Sequence, residues 1–118
     1  MATVMPMVIT LLGVLQITAY RPVPEQTKPS CIDRWHCTTS IGDGVTIYGA
    51  AVSQDLLKSG TVHYGDVLLV EGFGFRIVND AMNARITNAV DLMVLDRDHE
   101  RAVGIRHRRV WLVKEECE

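Results

Sequence analysis

This sequence predicts a small, mainly β fold, a barrel with one or two short helices, and three observations carry the prediction. Short runs rich in β-branched and aliphatic residues recur along the chain, and turn residues punctuate them. Only two stretches have helix-like boundaries. The chain has 118 residues, 47% apolar and 22% charged, which describes one globular domain long enough to bury a core. Many short strands with few helices favour a barrel over a sandwich of long hairpins.

No charged residue precedes Arg21, so Met1 to Tyr20 is a hydrophobic lead without the basic region of a secretory signal. Pro6, Thr10, Gly13, Gln16 and Thr18 interrupt it, which argues against a stable membrane span. Val14-Leu15-Gln16-Ile17-Thr18-Ala19-Tyr20 reads as a strand, leaving 1–13 as either a further strand or the remnant of a signal. The barrel domain is assigned to 14–114 and a tail to 115–118. Residues 21–44 form a long polar connection carrying Pro22, Pro24, Pro29, Gly42 and Gly44. Loops of that length in a compact domain are usually functional or tied by a disulfide.

The β-rich runs that follow are Val45 to Tyr48, Gly49 to Ser53, Val67 to Val70, Phe73 to Val78, Val90 to Leu95 and Val110 to Val113. Ser53 stands where an N-cap would open a helix that stops at Gly60. A second helix is expected from Asp96 to Val103, acidic first and basic late as the helix dipole prefers, ending at Gly104.

A formal net charge of −2 leaves no electrostatic footprint for nucleic acid. The one basic cluster, Arg101, Arg106, Arg108 and Arg109, reads as a solvated face. The cysteines are Cys31, Cys37 and Cys117, an odd number and so no complete disulfide framework. Cys31 and Cys37 could bridge in an oxidising compartment, leaving Cys117 as a spare thiol. Cys31, His36 and Cys37 would give zinc only three of its four ligands, so no metal is assigned.

The candidate chemistry lies in Asp80 and Asp91. The first follows the run Phe73 to Val78, the second stands at the start of another apolar run, and the turn-forming Asn83 and Asn88 lie between. Two strand ends joined by a loop can present two carboxylates to one cleft. A glycosidic bond needs such a pair: a proton donor for the leaving oxygen and a group that tunes it. Either aspartate could instead cap a turn. Trp35 and His36, in the polar connection, could stack on a sugar ring and donate to it. Trp111, between Val110 and Leu112, reads as structural.

The stretch Val78-Asn79-Asp80 through Asp91-Leu92 resembles the three-aspartate (3D) domain, a double-psi β-barrel of bacterial cell-wall enzymes that include lytic transglycosylases. The family pattern is roughly A-x-D-T-G-x-x-I-x-G-x-x-I-D-h-x-h. Asp80 and Val90-Asp91-Leu92 match it, Ile86 falls one place late, and Ala81-Met82 replaces T-G. Ile17-Thr18-Ala19-Tyr20 is similar to the family's opening T-A-Y strand. Gly49 to Ser53 stands where the family reads V-A-V-D, and His63 to Val70 resembles its P-L-G-T strand entry. Glu100 to Val113 resembles its closing helix and strand. The resemblance spans about residues 14–114.

The resemblance implies a six-stranded double-psi β-barrel and places Asp91 where the transglycosylases keep their catalytic acid, with Asp80 across the cleft. Val90, Leu92 and Met93 are expected to wall the acid and, with a neighbouring carboxylate, to raise its pKa. The first family aspartate falls on Ser53, for which Asp55 is a possible substitute. Thr39 and Ser40 align with a segment that lines the family's sugar cleft. Substrate-binding candidates are therefore Ser53, Asp55, Thr39, Ser40 and Trp35. The implied function is cleavage of peptidoglycan to a 1,6-anhydromuramyl product in the cell envelope, periplasm or medium, with no cofactor. A non-catalytic glycan-binding barrel and a hydrolase of another β-glucan are the alternatives, since fold does not fix function.

Overall fold

The structure is a computed structural model and describes residues 6–21 and 48–115. Six strands and two helices follow in the order β1 (Met7–Tyr20), β2 (Gly49–Val52), α1 (Gln54–Lys58), β3 (Val67–Val70), β4 (Gly74–Ala81), β5 (Ala89–Met93), α2 (Arg97–Val103) and β6 (Arg106–Glu115). The strands close into a six-stranded barrel in the spatial order β1-β5-β2-β4-β3-β6. The pairs β1–β5 and β2–β4 are parallel and the other four antiparallel. A mixed closed barrel is thus the fold, as expected. No helix among the described residues is long and apolar enough to cross a membrane.

Period-two alternation divides the strand residues into two faces. Leu15, Ile17, Ala50, Val52, Leu68, Val70, Val78, Val90, Leu92 and Val110 fill the interior, with Leu56, Val62 and Val103 joining from the helices and loops. Each fully buried aliphatic contributes roughly 1.5–3 kcal/mol by leaving water. The chain is rich in valine because the small barrel has little room inside and β-branched side chains suit the pleat.

The element boundaries differ from expectation where pairing partners are distant in sequence. β1 starts at Met7, not Val14, so part of the lead belongs to the barrel's first strand. Its first half is paired with β6, Met7 opposite Glu115 and Leu11 opposite Trp111. The register slips between Leu11 and Gly13, a bulge that places Gly13 at φ 134°, a conformation open to glycine and strained for other residues. β6 likewise extends the short run Val110–Val113 to ten residues because β1 and β3 flank it. The run Gly49–Ser53 ends as a strand at Val52, and the run Val90–Leu95 ends at Met93. Val45–Ile47 lie outside the described residues.

α2 begins as its sequence implies: the Asp96 carboxylate accepts from the His99 backbone N–H at 2.8 Å. α1 does not. Ser53 occupies the N-cap position with extended backbone, but its side chain makes no capping bond.

Candidate functional site

On β5, Val90 and Leu92 point inward, so Asp91 between them points to the outer face. Its direct neighbours are Thr18 on β1 and Ala51 on β2. Ala51 is in turn opposite Asp80 on β4. Asp80, Ala51, Asp91 and Thr18 therefore form one lateral row across four strands. Strand spacing sets the two aspartate Cα atoms roughly 10 Å apart, with only a methyl group between their side chains. A bulge creates this row. The β2–β4 register runs from Ala50 opposite Val78 to Ala51 opposite Asp80, leaving Asn79 as the extra residue.

The outer face around the row is apolar. Tyr20 and Met93 stand opposite each other one pleat beyond Thr18 and Asp91, and Ala89 lies one pleat before. Together with Ala51 and Met82 they form a second buried cluster, against which Leu95 packs. The walls of Asp91 thus include Met93, as expected, but not Val90 or Leu92. Those two face the interior because side chains alternate along a strand.

Burial in this setting pushes the Asp91 carboxyl up to about 6. The Thr18 hydroxyl donates to Asp91 Oδ1 at 2.8 Å and opposes the rise, while the like charges of Glu100 and Asp80 add to it. Asp80 accepts from the Ala81 backbone N–H at 2.9 Å, a local bond of the kind that orients an aspartate at a strand end. Asn83 forms the expected turn, its Oδ1 accepting from the Arg85 backbone N–H at 3.0 Å. Asn88, the residue before β5, holds φ 54°, in the left-handed region that asparagine tolerates better than most.

Ser53 and Asp55 are committed elsewhere. Ser53 is fully buried, and its Oγ accepts from the Ala89 backbone N–H at 3.0 Å. Asp55 receives the Asn88 backbone N–H on both oxygens, at 3.2 and 3.3 Å. The Ser53 hydroxyl and then the Asn88 amide hold the Asp55 carboxyl below its ordinary value. The two residues clamp the turn that leads into β5, one step upstream of the row. Trp35, His36, Thr39, Ser40, Cys31, Cys37 and Cys117 lie outside the described residues.

Two residues of the site had no assigned role in the sequence. Thr18 lies in the T-A-Y run, and strand alternation alone would have aimed it at the face opposite Ile17. Glu100, on α2, pairs with Arg21 just past β1, the Arg21 Nε donating to Glu100 Oε1 at 3.3 Å. Nothing in the sequence announces that pair, which the closure of α2 over the end of β1 brings together. The basic cluster has structural uses. Arg106 donates to the Val103 and Ala102 carbonyls at the end of α2, and Arg109 pairs with Glu71 and lies over Trp111, 5.5 Å from the ring centre. Among the described residues no cluster of His, Cys, Asp or Glu could hold a metal ion.

No protein-family model matches the chain, and no curated protein matches it.

Proposed function

We propose that this barrel is a peptidoglycan-cleaving lytic transglycosylase with Asp91 as its general acid and base. The observation that carries the reading is the carboxyl of Asp91, apolar-walled and pushed up to about 6, next to Thr18 and in one row with Asp80. A carboxylic acid that keeps its proton near neutral pH is what glycosidic cleavage requires. The resemblance to the three-aspartate family supplies the substrate class.

In this mechanism protonated Asp91 donates to the oxygen between N-acetylmuramic acid and N-acetylglucosamine, and the muramyl C1–O bond breaks. Asp91, now a carboxylate, takes the proton of the muramyl C6 hydroxyl as that oxygen bonds to C1. The product is a 1,6-anhydro sugar, no water is consumed, and the acid is regenerated. Thr18 orients the carboxyl through its hydrogen bond. Asp80 faces the same row and tunes it by charge.

One observation favours the second reading, a glycan-binding barrel without chemistry. At the position of the first family aspartate stands Ser53, buried and bonded to Ala89, and Asp55 turns to Asn88. Digestion of purified murein sacculi decides between them. Wild type is expected to release anhydromuropeptides, and Asp91→Asn to lose that activity by about 10²–10⁴-fold. Products with free reducing ends would identify a hydrolase. Sacculi bound but uncut by both proteins would identify the binding barrel.

A further inference from the structure

The wall of the barrel formed by β1, β6, β3 and β4 carries a second surface. Leu68, Val70 and Val110 face the interior, so alternation turns Val67, Leu69, Trp111 and Val113 outward. The strand registers carry these positions sideways into two rows. Ile9, Val113, Val67 and Ile77 are successive partners across β1, β6, β3 and β4, and so are Leu11, Trp111, Leu69 and Phe75. Every side chain in both rows is apolar. Ile9, Leu11, Phe75 and Ile77, at the two outer strands, are 43% to 58% exposed. An open groove walled by Met7, Ile9, Val67, Phe75 and Val113 shows that the four strands share one continuous surface here.

The chemistry of this face selects its occupant. The rows offer no hydroxyl, carboxylate or amine, so a sugar or a charged ligand would leave its polar groups without partners there. Charges begin only at the two ends. Beyond the Ile9 row stand Asp66 and Lys114, paired at 3.6 Å, and Glu115 opposite Met7, a formal sum of −1. Beyond the Leu11 row Arg109 pairs with Glu71, and Arg108 lies beside Gly72, a formal sum of +1. Neither end has the strong single-sign field that nucleic acid or an anionic membrane would draw on. Opposite charge at opposite ends of an apolar face is complementary to the same face turned end for end. Four strands and about five residues per strand give a footprint of roughly 300 Å², a size at which apolar patches are commonly functional. Two such footprints with their charged rims come to roughly 1,000 Å², the low end for a specific interface.

We propose that this face is a self-association surface, on which two copies of the chain pack about a two-fold axis lying across the strands. Apolar rows meet apolar rows, and the Asp66–Glu115 end of each copy meets the Arg108–Arg109 end of the other. The contact is a sheet-on-sheet packing of the kind that forms the core of a β-sandwich. It is independent of the reading of Asp91. The Asp91 row runs over β1, β5, β2 and β4, and the dimer leaves that wall open.

The test is sedimentation velocity of the full chain from about 1 to 200 μM, the range over which an interface this small dissociates. Thermal unfolding confirms that each variant is folded. Wild type is expected to pass from one chain to two across that range. Phe75→Lys and Leu11→Lys, both at exposed positions, are each expected to weaken the dimer about 100-fold, since a two-fold contact loses the side chain twice. Glu115→Lys and Arg108→Glu are each expected to weaken it about 10-fold, and the double exchange to restore most of the loss. A wild type that stays monomeric at 200 μM would overturn the proposal, the face then being covered by another part of the same chain or by a different protein. A dimer that survives Phe75→Lys but not Leu11→Lys would overturn it too, because the copies would then be joined along the edge of β1. Failure of the double exchange to restore association would overturn the end-for-end orientation.

Discussion

Asp55 and Asp91 stand at opposite sides of one short strand entry, and their environments push the same side chain in opposite directions. Asp55 is half-buried and receives the Ser53 hydroxyl and the Asn88 amide, so its charge is welcome and its pKa falls. Asp91 has apolar walls, one hydroxyl donor and two carboxylates nearby, so its charge is resisted and its pKa rises to about 6. A carboxylate placed among donors becomes a clamp, and one placed among carbons and like charges becomes an acid. What distinguishes them is the count of donors against the depth of burial, not their place in sequence.

The sharpest way to break that contrast is through stability. Asp91 has a folded value of about 6 against an ordinary 3.8, so between about pH 4 and pH 6 the folded chain holds a proton that the unfolded chain has lost. Its contribution is therefore favourable at low pH and is lost as pH rises to about 6. At neutral pH the ionised group costs the fold up to roughly 3 kcal/mol. Asp91→Asn is expected to be the more stable protein at pH 7.5 and to show no advantage at pH 3.5, as read by urea unfolding at both values. Equal stabilities at pH 7.5 would show that Asp91 is well solvated.

Asp55→Ala is expected to do the opposite with a smaller effect. It removes the acceptor of the Asn88 amide, a loss of about 1 kcal/mol at neutral pH for a surface hydrogen bond. Because the folded value of Asp55 is depressed, that stabilisation is present above about pH 4 and disappears as pH falls further, so the variant and wild type should converge in acid. The subtlest change is Thr18→Val, close to isosteric but without the donor. Its expected effect is a further rise of the Asp91 midpoint above about 6, with little change in melting temperature. A fall of the midpoint would mean that the Thr18 hydroxyl serves the protonated form instead.

Much of the barrel was legible because local pattern and tertiary role agree. Val67–Val70 forms β3 as read, and the helix read from Asp96 to Val103 is α2, one residue shorter because Asp96 stands outside it as the cap. The aspartate pair was legible from its turn-rich spacing, but its geometry was not. The bulge at Asn79 brings Asp80 opposite Ala51, and a bulge depends on the partner strand. Ser53 illustrates a second limit. Its place before a helix fits a cap, yet a buried amide 36 residues away is the group that claims its oxygen. The pair Arg21 and Glu100, 79 residues apart, was beyond any local signal.

The pairing of β1 also has a bearing on how the protein is made. Tyr20 and Ile17 find their ladder partners in Met93 and Val90, and Met7 finds its partner in Glu115. Of the described strands, β1 is made first and therefore waits for nearly all the rest of the described chain before it can be paired. During that interval it presents Met7, Val8, Ile9 and Leu11 without a neighbouring strand, the kind of ribbon that chaperones hold and that aggregates when they do not. The meeting of Thr18 and Asp91 waits for β5, and barrel closure waits for β6. A chain that stops before β5 would hold neither the closed barrel nor the row in which Asp91 meets Thr18.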